Sequence, residues 1–157
     1  MKMARKSNNH AMNNLVSRLN SNLLDNKLDK SVTFVATTTG KLATGTFKIA
    51  DVTGIVAMQV FGICSTNLAG AGATIEVGTA LSTAGLIAQT TATDIDANEI
   101  WHDASPDASI ELSSVLTQKI VTQDVNYKIG TADISAGVIT FYILWSPISD
   151  DGNVEIA

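Results

Sequence analysis

The sequence predicts an all-β fold, an antiparallel β-sandwich or jelly roll that carries an N-terminal helical or extended arm. Three observations predict it. The stretch Ile75 to Ile87 aligns without gaps on Tyr127 to Ile139, so that Gly78, Thr79, Ala80, Ala84, Gly85 and Ile87 recur as Gly130, Thr131, Ala132, Ala136, Gly137 and Ile139. Each copy reads as an alternating strand, a small polar turn and an apolar strand, the signature of a hairpin used twice. Beyond residue 30 the apolar residues alternate with period two between turn signals. The chain is also rich in Thr and β-branched residues and poor in aromatics, at 5% of its 157 residues, a balance that favours strands over helices.

The elements follow in order. Val32 to Ala36 alternates, residues 37–40 turn, and Thr44 to Ala50 alternates again. Asp51 to Gly54 reads as a turn. Ile55 to Cys64 is an almost continuous apolar run, read as a strand buried on both faces. Asn67 to Gly72 is a glycine-rich loop without the lysine and spacing of a phosphate-binding loop. The first hairpin spans about 73–91. An acidic, turn-rich segment covers 93–107, and strands near 110–114 and 117–122 lead to the second hairpin at about 125–145. Pro147 ends its return strand, and Val154 to Ile156 reads as a terminal edge strand. Phe61, Ile63, Ile139, Phe141, Ile143 and Trp145 are the expected core. About eight to ten short strands with frequent turns suit a sandwich or jelly roll.

Residues 1–30 form the arm and 31–157 the body. Leu15, Val16, Leu19, Leu23, Leu24 and Leu28 fall on one helical stripe, in a stretch with seven asparagines and no glycine. Asparagine is a poor helix former, so the stripe is expected to become helical on docking. Residues 1–30 carry a formal charge of +4 and the body −9, within a chain total of −5. A basic arm on an acidic body implies different partners for the two parts. Arg5, Lys6, Leu15, Arg18, Leu19, Leu23 and Leu24 are therefore the expected partner-binding residues. The basic residues lack aromatic stacking neighbours, which argues against nucleic acid as the partner.

The N-terminus lacks the apolar segment of a signal peptide, and no stretch reaches the roughly 18 apolar residues of a membrane span. A cytoplasmic site of synthesis and no membrane contact are expected. Cys64 stands alone, so no disulfide forms within one chain. Its apolar neighbours mark it as a small buried hydrophobe.

Chemistry has few footholds. Asp94, Asp96 and Asn98 match the first positions of a calcium loop, but Glu99 stands where glycine is required and Ser105 where glutamate is. A solvated acidic turn is the default, and a calcium site of another kind within 94–107 is left open. Trp101, His102 and Asp103 are the candidates for facing a ligand. Neighbours on a strand point to opposite faces, so adjacency does not make a His102–Asp103 dyad. Trp101 is expected to bury its ring while His102 and Asp103 face a loop or an interface. His10 is the other histidine, which excludes a three-histidine metal site. No catalytic residue, metal or cofactor is expected, and the chain is read as a non-enzyme.

The residues 73–80, 85–103 and 134–145 resemble small structural proteins of tailed bacteriophage virions. The resemblance spans about residues 50–153. It implies a head decoration or cement protein on the capsid surface, a homo-oligomer with a trimer favoured, and the major capsid protein or other virion proteins as partners. It brings no catalytic residues. The alternative is a head-fibre or tail-associated module that binds a receptor or carbohydrate, which requires exposed aromatics such as Trp101 and Tyr127.

Overall fold

The computed structural model describes Leu24 and residues 26–35, 43–107 and 109–157. Ten strands build two antiparallel sheets that pack face to face. The first sheet runs β1 (Asn26–Val35), β9 (Ala136–Pro147), β3 (Val56–Ala69), and β3 carries both β6 (Ile100–Trp101) and β7 (Lys119–Val121) beyond it. The second runs β10 (Asn153–Ile156), β2 (Gly45–Thr53), β8 (Val125–Gly130), β4 (Thr74–Gly78), β5 (Ile87–Thr91). The described residues form an all-β sandwich.

The core lies between the inner faces. Met58, Val60, Cys64, Trp101, Ile139, Phe141 and Ile143 of the first sheet meet Ile49, Ile75, Val77, Val125, Tyr127 and Ile129 of the second, and all are buried. Phe141 stacks on Tyr127 across the interface with ring centroids 5.6 Å apart. Burial pushes the Tyr127 phenol up to about 12, because its anion would lose water in the apolar interior. Cys64 is buried as expected, and burial raises its thiol.

Four expectations need correction. β3 is not buried on both faces. Its register with β9 sets Gly62 beside Phe141 and Cys64 beside Ile139, facing inward, and Phe61 beside Tyr142, facing outward. Phe61 and Ile63 are thus half-exposed, and Trp145 is only partly buried against the core. Gly62 leaves room for its neighbours: a Cβ there would lie 2.7 Å from Ile139 Cδ1 and 3.4 Å from the Trp101 ring, so the Ile139 side chain would have to shift.

The two copies of the repeat do not fold alike. The first is a hairpin, with β4 and β5 paired in one sheet. The second leaves the second sheet at β8 and enters the first at β9. Ser82 of the first turn corresponds to Ile134 of the second. Ile134 is fully buried, whereas Leu81 is 86% exposed. An apolar side chain in mid-connection is stabilised by burial, and the space for it lies between the sheets. Thr131, held at φ 67°, and Gly137, at φ 123°, turn the chain there. A Cβ on Gly137 would come within 2.5 Å of Leu68.

The residues 110–114 form no strand, despite alternating Ile110 and Leu112. Ile110 is 87% and Leu112 69% exposed. The segment is instead hooked to β3 by a side chain, with Gln59 Nε2 donating to the Leu116 carbonyl at 2.6 Å. Finally, β1 begins at Asn26 and takes up residues 26–30, which the helical stripe had assigned to the arm. Leu28, Val32 and Phe34 face the core as members of that strand. Lys30 shares their face and reaches the carbonyls of Lys48 (2.8 Å) and Ala157 (2.9 Å).

On the outer face of the second sheet the repeat places opposite charges side by side. Glu76 of β4 and Lys128 of β8 occupy equivalent positions in the two copies and pair in the ladder, with Lys128 Nζ 3.3 Å from the Glu76 carboxylate. Gln89 donates to the same carboxylate at 3.1 Å. Burial alone would raise the Glu76 carboxyl, but hydrogen bonds from Thr83, Lys128 and Gln89 outweigh it and hold the group below its ordinary value. Glu76 therefore stabilises the fold above its unfolded pKa of about 4.3, and that stability is lost as pH falls through the lower folded value. Glu76→Gln is expected to lose on the order of 1–3 kcal/mol at neutral pH. Urea melts across pH 3–7 check it: the gap between wild type and variant closes on acidification.

Candidate functional site

β6 sits at the edge of the first sheet, antiparallel to β3 at Gly62 and Ile63. Alternation turns Trp101 inward and Ile100 and His102 outward. Trp101 is fully buried, tilted against Phe141 at 6.3 Å, and its indole N–H donates to Thr90 Oγ1 at 2.8 Å. The Thr90 hydroxyl oxygen also lies 3.2 Å from the Asp103 carbonyl and 3.1 Å from the Ala88 carbonyl. These contacts fix the backbone on both sides of His102.

A short antiparallel bridge then brings residue 107 back. Ile100 N–H donates to the Asp107 carbonyl (2.9 Å) and Asp107 N–H to the Ile100 carbonyl (3.0 Å). Residues directly opposite in such a bridge share a face, so the Asp107 side chain lies on the outer side with His102. His102 Nε2 is 3.0 Å from Asp107 Oδ2 and 3.5 Å from Glu111 Oε2. Its Nδ1 faces Asp103 Oδ2 at 3.9 Å. The His102 side chain is only 8% exposed. Glu111 Oε1 accepts the Leu112 N–H at 2.6 Å, which leaves Oε2 turned toward the ring. That backbone donor, then a hydrogen bond with the Asp107 side chain, and further help from His102 hold the Glu111 carboxyl below its usual range. Asp103 Oδ1 accepts from Ser105 N–H at 2.7 Å.

His102, Asp107 and Glu111 present ligand atoms within 4.8 Å of one another, and among the described residues they are the one cluster of three such groups. The acidic turn before them is organised differently. Asp96 Oδ1 accepts from Asn67 Nδ2 at 2.5 Å, and Glu99 Oε2 accepts from the Asp96 N–H at 2.8 Å. Its carboxylates close their own turn against Asn67.

Of the residues singled out by sequence, the structure brings His102 and Asp103 together and sends Trp101 to the core, so Trp101 does not face a ligand. Tyr127 is buried as well, and the exposed aromatic pair needed by a carbohydrate-binding module is not formed by these two residues. Arg5, Lys6, Leu15, Arg18, Leu19 and Leu23 lie outside the described residues. Leu24 is half-buried just before β1. Glu111 escaped the sequence reading. Its spacing of nine from His102 belongs to no helical or strand period, and only the loop brings it back.

The same outer face carries a second feature. The registers of β9 with β1 and β3 place Val138, Tyr142, Leu144, Phe61 and Ile63 on it, with Ile100 of β6 beside them, all half-exposed. Phe61 stacks on Tyr142 at 5.3 Å, and Lys27 Nζ lies over the Tyr142 ring at 5.2 Å from its centroid. A smaller groove of about 250 Å³ lies at the other end of β3, lined by Leu81, Leu86, Lys119 and Ile120 among others. Lys119 Nζ closes it by donating to the Gly85 (2.7 Å) and Leu86 (3.1 Å) carbonyls. No known family, curated protein or solved structure matches the chain.

Proposed function

We propose that the protein is a virion structural protein of the decoration or cement kind, which binds an assembled phage head through its N-terminal arm and associates with copies of itself through its β-body. The observation that carries this reading is the apolar outer face of the first sheet. Sheets of small antiparallel proteins usually turn a polar face to water. Here Phe61, Ile63, Ile100, Val138, Tyr142 and Leu144 take outward positions, interleaved with the polar Ser31, Gln59 and Thr140 and framed by Lys27 and Asp29 of β1. Half-exposed apolar and aromatic side chains gathered on one sheet face favour a contact surface. The second sheet also ends in two single-sided strands, β5 and β10, and Ile156 on β10 is exposed. Association shields such edges from unwanted pairing. A trimer fits the virion resemblance, with the major capsid protein as the arm's partner and the capsid surface as the location. In this role the body catalyses nothing.

Light scattering on the full chain at micromolar concentration is expected to give an oligomer mass. Phe61→Glu is expected to shift it to monomer while leaving the fold intact, since the side chain is only half-buried within one chain. A monomeric wild type would count decisively against the reading. At the level of the particle, the protein is expected to co-purify with phage heads at a fixed ratio to the major capsid protein, and a variable or vanishing ratio would overturn the role.

A further inference from the structure

We propose that His102, Asp107 and Glu111 bind a first-row transition-metal dication of the Zn²⁺ class, which ties the 109–118 loop to the outer face of the first sheet. Three ligand atoms already converge. His102 Nε2 stands 3.0 Å from Asp107 Oδ2 and 3.5 Å from Glu111 Oε2. Ligands on a tetrahedral zinc ion, at bond lengths of about 2.0–2.1 Å, sit roughly 3.3–3.5 Å apart. The His102–Glu111 separation already has that value, and the His102–Asp107 separation has to open by only about 0.3 Å.

The charges ask for such an ion. His102 Nε2 carries at most one proton, and both carboxylates turn an oxygen toward that nitrogen. A dication replaces that single proton and serves all three groups at once. The imidazole nitrogen selects the kind of ion: Ca²⁺ and Mg²⁺ take oxygen ligands, whereas one nitrogen with two carboxylates suits Zn²⁺ and its neighbours. Three protein ligands leave a coordination position for water or for a group from another molecule.

The surroundings are already oriented. Glu111 Oε1 is held by the Leu112 N–H, Asp103 Oδ1 by the Ser105 N–H, and the free Asp103 oxygen faces His102 Nδ1, where an outer carboxylate would steer the ring. The backbone bridge between Ile100 and Asp107 fixes the spacing of the first two ligands. Glu111 belongs to the segment that bears exposed Ile110 and Leu112, so metal binding would order the loop that presents them. The site is independent of any virion role.

The test uses untagged full-length protein carrying His10→Ala, which removes the histidine of the arm, after dialysis against a chelator. Isothermal titration with ZnCl₂, MnCl₂, CaCl₂ and MgCl₂ is expected to show one Zn²⁺ per chain, with Mn²⁺ weaker and Ca²⁺ and Mg²⁺ at least tenfold weaker than Zn²⁺. Zn²⁺ is expected to raise the melting temperature in a concentration-dependent way and to slow proteolysis within 109–118. His102→Gln and Glu111→Gln are each expected to weaken Zn²⁺ binding at least tenfold. If His102→Gln does not fold, the more exposed Glu111→Gln decides alone. No saturable Zn²⁺ binding, Zn²⁺ binding unchanged in Glu111→Gln, or Ca²⁺ bound as tightly as Zn²⁺ would each overturn the site.

Discussion

Truncating Phe141 to alanine is expected to lower the unfolding free energy by about 3–5 kcal/mol. The ring is fully buried, stacks on Tyr127 from the opposite sheet, and lies against Trp101 from the edge of its own. It is thus the contact through which β9, β8 and β6 meet. Its ladder neighbour on β3 is Gly62, which has no side chain to move into the vacated space, and on β1 it is Lys30, whose ammonium is held by the Lys48 and Ala157 carbonyls. The cavity would remain open, and that term adds to the lost transfer energy. Urea melts measure the effect, with far-UV circular dichroism as the probe. Phe61→Ala is the control: it lies on the neighbouring strand with half-exposed side chain and should cost far less in the isolated chain. A loss below about 1 kcal/mol for Phe141→Ala would mean that the sheets are not joined through this ring.

Deleting residues 1–23 is expected to leave a folded, oligomeric body that no longer binds phage heads. The cut belongs at 23 because β1 needs Asn26 to Lys30, which pair with Trp145 to Phe141 of β9. A deletion through residue 30 would remove half of that strand and confuse lost folding with lost attachment. Within the arm, Leu19→Asp with Leu23→Asp should act nearly as strongly as deletion. Each buried leucine is worth about 1.5–3 kcal/mol, so the pair represents more than a hundredfold in affinity. Lys2→Ala should matter little, since exposed charges act on encounter and are screened by salt. Quantitative sedimentation with particles measures it. Wild-type occupancy by the truncated body would move the attachment site onto the sandwich.

The strands were legible wherever a strict alternation or a turn signal marked them. Val125 to Ile129, Gly45 to Lys48 and the run around Phe141 all have one apolar and one mixed face, and the structure keeps those phases. β3 was legible as a strand but not in phase. A continuous run from Val56 to Cys64 offers two apolar faces, and only its register with β9 decides that Met58, Val60 and Cys64 turn inward. The first half of β1, residues 26–31, was hidden for a related reason. Leu24 and Leu28 are four apart, a spacing shared by a helix and by a strand face, and the choice came from the distant partner strand. The repeat misled because its identities lie in the strands and small residues. Among the exchanges in the connection, that of Ser82 for the fully buried Ile134 is the one that anchors the crossing between the sheets. At the site, His102 could be read as facing a loop. Its partners could not, because the bridge from Ile100 to Asp107 sets them and leaves no periodic mark.

The pairing of β1 with β9 also sets a schedule. β1 is the first strand of the described chain to leave the ribosome. The strand it pairs with ends at Pro147, more than a hundred residues later. Pairings so distant in sequence are slow to form, typically over milliseconds to seconds. Until β9 arrives, the first sheet lacks its second strand, and the segment that precedes β1 has no fixed point of departure. In a decoration protein this order would act as an inspection step, because a truncated or unfinished chain could not hold its arm in place against a particle.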